Sequence, residues 1–183
     1  MDLLGRRLIV QDQGGLVGGV IVETEAYIGE DDPACHAARG RTPRTEVMYG
    51  PPGHAYVYFT YGNHWMLNVV AEPRDFPAAV LIRAIEPTDG LEVMKQRRNG
   101  VPERNLTNGP GKLTAALGIT GQDNGADLRT SRIRIIGSRP RNVSVATSGR
   151  VGVADAADVP WRFFVEGNPW VSAYRRGTRA SRR

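Results

Sequence analysis

Two carboxylates, Glu23 and Glu25, stand two residues apart in the segment Val20–Tyr27, V-I-V-E-T-E-A-Y. The run is apolar and β-branched, the composition of a buried strand. Strict alternation puts Ile21, Glu23, Glu25 and Tyr27 on one face and Val20, Val22, Thr24 and Ala26 on the other. A carboxylate on a mostly buried strand is costly unless it is paired or used. Two outcomes follow from the pattern. Both acids pair with arginines across a sheet, or one serves as a general base or electrostatic stabiliser facing a cleft beside Tyr27.

Other polar residues narrow the chemistry. None of the three histidines, His36, His54 and His64, has the H-x-x-x-H spacing of a zinc helix. Cys35 is alone, so no cysteine-ligated cluster is expected, and neither a metal nor a cofactor is called for. His36 falls in a long loop where it can line a pocket, while His54 and His64 read as surface turn residues. Tyr56 and Tyr58 share a strand face, and Tyr61 sits at the following turn. That arrangement is either strand packing or, in a basic protein, a stacking platform with a wedge between bases. Asn68, inside M-L-N-V-V, needs partners or a ligand, since a buried unsatisfied amide costs roughly 1–3 kcal/mol. The run G-P-G-K-L at 109–113 lacks the Walker pattern, having Leu106 and Leu113 where Gly and Ser or Thr are required. Its helix start can still meet a DNA phosphate.

The elements that must position these groups are mostly strands. Gly14-Gly15 and Gly18-Gly19 punctuate a hairpin of Leu8–Gln11 and Val20–Tyr27. Ile28–Pro52 reads as a long ordered loop with a short helix around Ala34–Arg39, and such loops are usually functional. His54–Thr60 and Trp65–Val70 form a second hairpin through Tyr61–His64, and Ala79–Ile85 adds a strand. Helices are expected at Asp89–Asn99 and Lys112–Leu117, the second ended by Gly118. Short strands at Arg132–Ile136, Val151–Val153 and Arg162–Val165 follow. The expected fold is α+β: one domain with a curved, mainly antiparallel sheet, few short helices and a long ordered loop.

Bulk properties agree with a globular, nucleic-acid-binding chain. At 183 residues one hydrophobic core suffices. The apolar runs are too short to span a bilayer, and the start M-D-L-L-G-R-R lacks a signal-peptide core, so a cytoplasmic monomer is expected. Net charge is +5, and of the 24 cations only Lys95 and Lys112 are lysines. The stretch Arg129–Arg150 and the last residues, from Arg175, carry arginines without acids. That imbalance suits a polyanion partner. The division expected is 1–174 as the working domain and 175–183 as a disordered basic tail.

V-E-T-E-A-Y (22–27), a histidine nine residues on, A-Y-V-Y-F-T-Y-G (55–62), L-N (67–68), L-I-R-A-I-E-P (81–87), G-P-G-K-L (109–113), R-V-G-V (150–153) and G-N-P-W-V-S (167–172) occur in this order. Jointly they resemble the 3-methyladenine (alkyladenine) DNA glycosylase family over about residues 2–173. Members of that family carry further residues ahead of the D-L-L-G motif.

The resemblance implies a monofunctional glycosylase that hydrolyses the N-glycosidic bond of damaged purines in double-stranded DNA. It implies Glu25 as catalytic base and Arg83 beside the attacking water. Tyr27, His36 and Tyr58 would enclose the flipped base, Tyr61 would fill the gap in the duplex, and Asn68 would oppose the exocyclic amine of guanine. The alternative is a non-catalytic nucleic-acid-binding domain in which Glu25 is structural. A bifunctional lyase would need an amine nucleophile, and neither lysine lies in the pocket motifs.

Overall fold

The computed structural model describes residues 2–60, 62–138, 140 and 142–178. It is an α+β fold in which one antiparallel sheet curls into a half-barrel beside two short helices. The strands are β1 (Arg7–Asp12), β2 (Gly15–Ile28), β3 (Ala55–Thr60), β4 (His64–Val70), β5 (Ala78–Asp89), β6 (Ile133–Ile136), β7 (Val145–Ser148) and β8 (Arg162–Val165). The helices are α1 (Leu91–Arg97) and α2 (Pro110–Leu117). Sheet order is β3-β4-β5-β2-β1-β6, with β8 joining β2 to β7.

The central strand is β2. Along one edge it pairs with β5 from Gly18 to Ile28; along the other, its first half pairs with β1 and Glu23–Glu25 pair with β8. Gly18 and Gly19 therefore lie inside β2 instead of ending it, contrary to the expectation from sequence. A Cβ on Gly18 would come 2.5 Å from the Leu8 carbonyl oxygen, and one on Gly19 would come 2.2 Å from that of Glu86. Close backbone approach, and not a turn, is what requires glycine there. Beyond the contact with β4, β5 has a ladder partner only in β2, so Pro87 is tolerated and the strand runs four residues past Ile85.

Two irregularities in the β2–β5 ladder decide the site. Pairing steps from Ile21↔Ile85 to Glu23↔Ala84 and then to Thr24↔Ile82, passing over Val22 on β2 and Arg83 on β5. Each extra residue shifts the phase of its strand. Ile21 consequently packs in the main core with Ile82 and Ile85, and does not share the face of Glu25 as strict alternation predicts.

The main core lies between the sheet and the helices, where Leu113, Ala116 and Leu117 of α2 and Met94 of α1 are fully buried. A second cluster, including Cys35, Ala37, Met48 and Tyr49, seats the long loop against Tyr56, Val70 and Ala79. The loop is thus held by its own apolar residues, with short 3-10 turns at His36–Arg39 and Glu46–Tyr49. Val151–Val153 is a loop and not the strand expected, whereas Val145–Ser148 is a strand that composition did not signal. Past β8 the chain returns to that loop: Gly152 donates to the Arg175 carbonyl, and Gly177 rests on the backbone of Gly152. Among the described residues no helix is long and apolar enough to cross a membrane.

Candidate active site

A cavity of about 330 Å³ opens between the long loop, the β3–β4 hairpin, β5 and the 151–153 loop. Tyr27, His36, Tyr58, Asn68 and Arg83 all line it. Glu25 does not. Its carboxylate is fully buried immediately behind the wall and accepts three hydrogen bonds, each from a residue that lines the cavity. Oε1 accepts from the Val151 backbone N–H at 2.6 Å; Oε2 accepts from the Tyr27 hydroxyl at 3.0 Å and from Arg83 Nη1 at 3.2 Å. Burial raises the pKa of Glu25 above its ordinary 4.5, and Arg83, Val151 and Tyr27 oppose this only in part.

Glu23 has the same burial and the opposite tuning. It accepts from Arg83 Nε at 2.8 Å, from Arg162 Nε at 2.7 Å, and from the backbone N–H and hydroxyl of Ser172 at 2.7 and 2.8 Å. Burial pushes its pKa up, but the two guanidiniums and the Ser172 N–H outweigh that and hold it below 4.5. Both glutamates therefore pair with an arginine across the sheet, the first of the two outcomes weighed, and Glu25 in addition lies directly behind a cavity wall. Burial and the neighbouring Glu25 push the Tyr27 pKa well up, so Tyr27 stays a donor.

The opposite wall is aromatic. His36 Nδ1 lies 2.9 Å from the Tyr56 hydroxyl, and its ring meets Tyr58 edge-on at 4.4 Å between centroids. Burial, together with the cations Arg44 and Arg39, lowers the His36 pKa to about 4, so the imidazole is neutral at physiological pH. Asn68 finds its partner by donating from Nδ2 to the Tyr56 carbonyl at 3.0 Å. Arg150 is fully buried behind Tyr27, 4.7 Å from that ring, and grips Asp32 with both Nη atoms at 2.6 and 2.8 Å. Tyr61 lies outside the described residues.

The chain belongs to the methylpurine-DNA glycosylase family. The family model matches residues 1–169. Relatives that carry the provisional name 3-methyladenine DNA glycosylase include one from Rhodopseudomonas palustris, 48% identical over 93% of this chain and 82% of its own. One from Carboxydothermus hydrogenoformans is 47% identical over 93% and 90%, and one from Prosthecochloris aestuarii 46% identical over 93% and 83%. The protein is a DNA glycosylase, a hydrolase of DNA repair, and its substrate is DNA.

Within this glycosylase several site residues had no assigned role in the sequence reading: Tyr56, Asp32, Arg150, Arg162, Ser172 and the Val151 N–H. Arg150, Val151 and Ser172 were signalled only by falling in the matched runs R-V-G-V and G-N-P-W-V-S, and Arg162 only as the start of a short strand. The charge reading also needs correction. Arg129, Arg132 and Arg150 belong to a run, 129–150, that contains no acid, yet each is paired in space, with Asp127, Asp123 and Asp32. Folding spends part of that cationic run on structure.

Proposed function

We propose that this glycosylase excises damaged purines of the 3-methyladenine, hypoxanthine and ethenoadenine class from double-stranded DNA after swinging the nucleotide out of the helix. The observation that carries this reading is the aromatic cavity with the Glu25 carboxylate pinned directly behind it by three residues of its wall. A volume of about 330 Å³ is at the small end of ligand pockets, which suits one nucleobase better than a larger ligand. Extrusion costs a few kcal/mol, least for a damaged or mismatched base. Tyr61, which follows β3 in sequence, fills the gap in the duplex. Tyr27, His36 and Tyr58 enclose the base, their π faces favouring an electron-poor alkylated purine.

In the reaction, positive charge grows on the sugar as the N-glycosidic bond lengthens. Ionised Glu25 stabilises that charge and takes a proton from a water as its oxygen bonds to the anomeric carbon, in the manner of an inverting glycosidase. The bonding pair departs with the base: a cationic alkylated purine thereby leaves neutral, whereas hypoxanthine or ethenoadenine must take up a proton from solvent as it leaves. Arg83 orients the water and the carboxylate. Asn68 rejects guanine, whose exocyclic amine would meet the side chain without a productive bond. The protein does this work as a cytoplasmic monomer, with the first residues of the basic C-terminal segment resting on the 151–153 loop.

Duplexes holding one hypoxanthine, ethenoadenine or alkylated purine test the proposal. Wild type should liberate the free base, and Glu25→Gln should bind the duplex without release. Binding with no release by the wild type would favour the non-catalytic reading. Trapping of a covalent complex by borohydride would favour a lyase.

A further inference from the structure

Arg83 is shared unequally between two carboxylates. Its Nε holds Glu23 at 2.8 Å, while its Nη1 reaches Glu25 at 3.2 Å, and Nη2 sits 3.3 Å from the Ser172 hydroxyl. Glu23 in turn is clamped by Arg162, whose Nη2 is anchored on the Ser172 carbonyl at 2.8 Å. The four charges, Glu23, Glu25, Arg83 and Arg162, sum to zero in a site where all four side chains are buried. A guanidinium committed wholly to Glu25 would depress its basicity and cancel the negative charge that the sugar cation needs.

We propose that Glu23, clamped by Arg162 and Ser172, is a positioning residue that draws Arg83 partly away from Glu25 and so keeps Glu25 a competent base. The proposal rests on the reading of Glu25 as that base. Other groups facing Glu25 do not do this job. Tyr27 on its own strand and the Val151 N–H from the opposing loop are neutral donors. Arg150 stands behind Tyr27, but Asp32 neutralises it with a bidentate pair. Across the cavity, His36 is neutral and Tyr58 packs against its ring. Glu23 supplies the negative charge that competes for Arg83, and it helps raise the Glu25 pKa. Arg162 supplies the countercharge that lets both acids ionise together.

The two charges predict opposite responses. Glu23→Gln leaves the cluster with one excess positive charge, and Arg162→Gln leaves one excess negative charge. The assay is single-turnover release from a duplex with one cationic alkylated purine, which leaves without a proton donor, so the acid limb of the pH–rate profile reports Glu25. Glu23→Gln should move that limb down, and Arg162→Gln should move it up, each by roughly one pH unit. Arg162→Lys, which keeps the charge, and Ser172→Ala, which removes only hydrogen bonds, should leave it in place even where the rate falls.

Acid limbs that stay put, or that shift the same way in both charge-removing variants, overturn the proposal. Either variant that folds decides on its own. In the unaltered protein, carboxyl carbon-13 titration should find Glu25 above and Glu23 below their common ordinary value, and the reverse order overturns the proposal as well. If Glu25→Gln keeps full activity, it is the assignment of the base that fails. If Glu25→Gln is inactive and the limbs do not move, only the role of Glu23 fails.

Discussion

The backbone N–H of Val151 donates to Glu25 Oε1 at 2.6 Å, across 126 positions of sequence. One oxygen of the carboxylate is thereby fixed from the loop side of the cavity, while the other is held from the sheet side by Tyr27 and Arg83. A carboxylate held from both sides keeps one rotamer, and that pre-alignment is what positions a base against a substrate before reaction. Glycine at 177, where a Cβ would come 2.5 Å from the Gly152 carbonyl carbon, lets the C-terminal segment lie against this loop, so the wall carrying Val151 is braced from outside.

Replacing Glu25, the proposed base, should separate chemistry from binding. Glu25→Gln keeps the shape of the side chain and removes its charge. Base release should fall by about 10²–10⁴-fold, the usual contribution of a general base. Electrophoretic mobility shift should show the affinity for a lesion-containing duplex largely intact.

His36 should not titrate near neutrality. With its pKa lowered to about 4 by burial and by Arg44 and Arg39, it stays neutral from pH 8 down to about pH 5. Imidazole proton shifts followed by NMR should be flat over that span. A midpoint near 6.5 would mean that the pocket is far wetter than its geometry implies.

The Asp32–Arg150 pair should be structural at high cost. Asp32→Asn leaves the fully buried Arg150 without its counter-ion, a change worth about 3–5 kcal/mol, read from urea denaturation. Burial alone would raise the Asp32 pKa, but the Arg150 hydrogen bonds, with backbone donors, bring it below 3.8. A carboxyl whose folded pKa is depressed stabilises the protein fully above the unfolded value and loses that contribution as pH falls through the folded one. The stability gap between wild type and Asp32→Asn should therefore be constant above about pH 5 and narrow below 3.8.

Guanine rejection should depend on Asn68. Asn68→Ala removes the amide from the cavity wall together with its bond to the Tyr56 carbonyl. Release of undamaged guanine from duplex DNA should rise from background, while hypoxanthine release falls less than tenfold, about 1.4 kcal/mol. Quantifying both free bases by chromatography checks it.

Salt should sort the arginines. DNA affinity should fall steeply and linearly on a log–log salt plot. Arg132→Gln should lower stability and leave that slope unchanged, because its guanidinium is already held by Asp123 at 2.6 and 2.7 Å. A reduced slope would place Arg132 on a phosphate.

Read as sequence alone, the chain declares its strand-rich character, the β3–β4 hairpin, the helix that follows Gly109 and, through ordered motifs, its family and the cluster of Glu25, Tyr27, His36, Tyr58, Asn68 and Arg83. Those features depend on local periodicity and on residue types, which one dimension records. The division of labour between Glu23 and Glu25 is invisible there, because both are glutamates in the same strand. Tertiary structure assigns it: bulges at Val22 and Arg83 set the phase, Arg162 and Ser172 arrive from β8 and its sequel to claim Glu23, and Val151 comes from a loop to hold Glu25. Burial and long-range partners determine a carboxylate's pKa, and neither is a property of its neighbours in sequence.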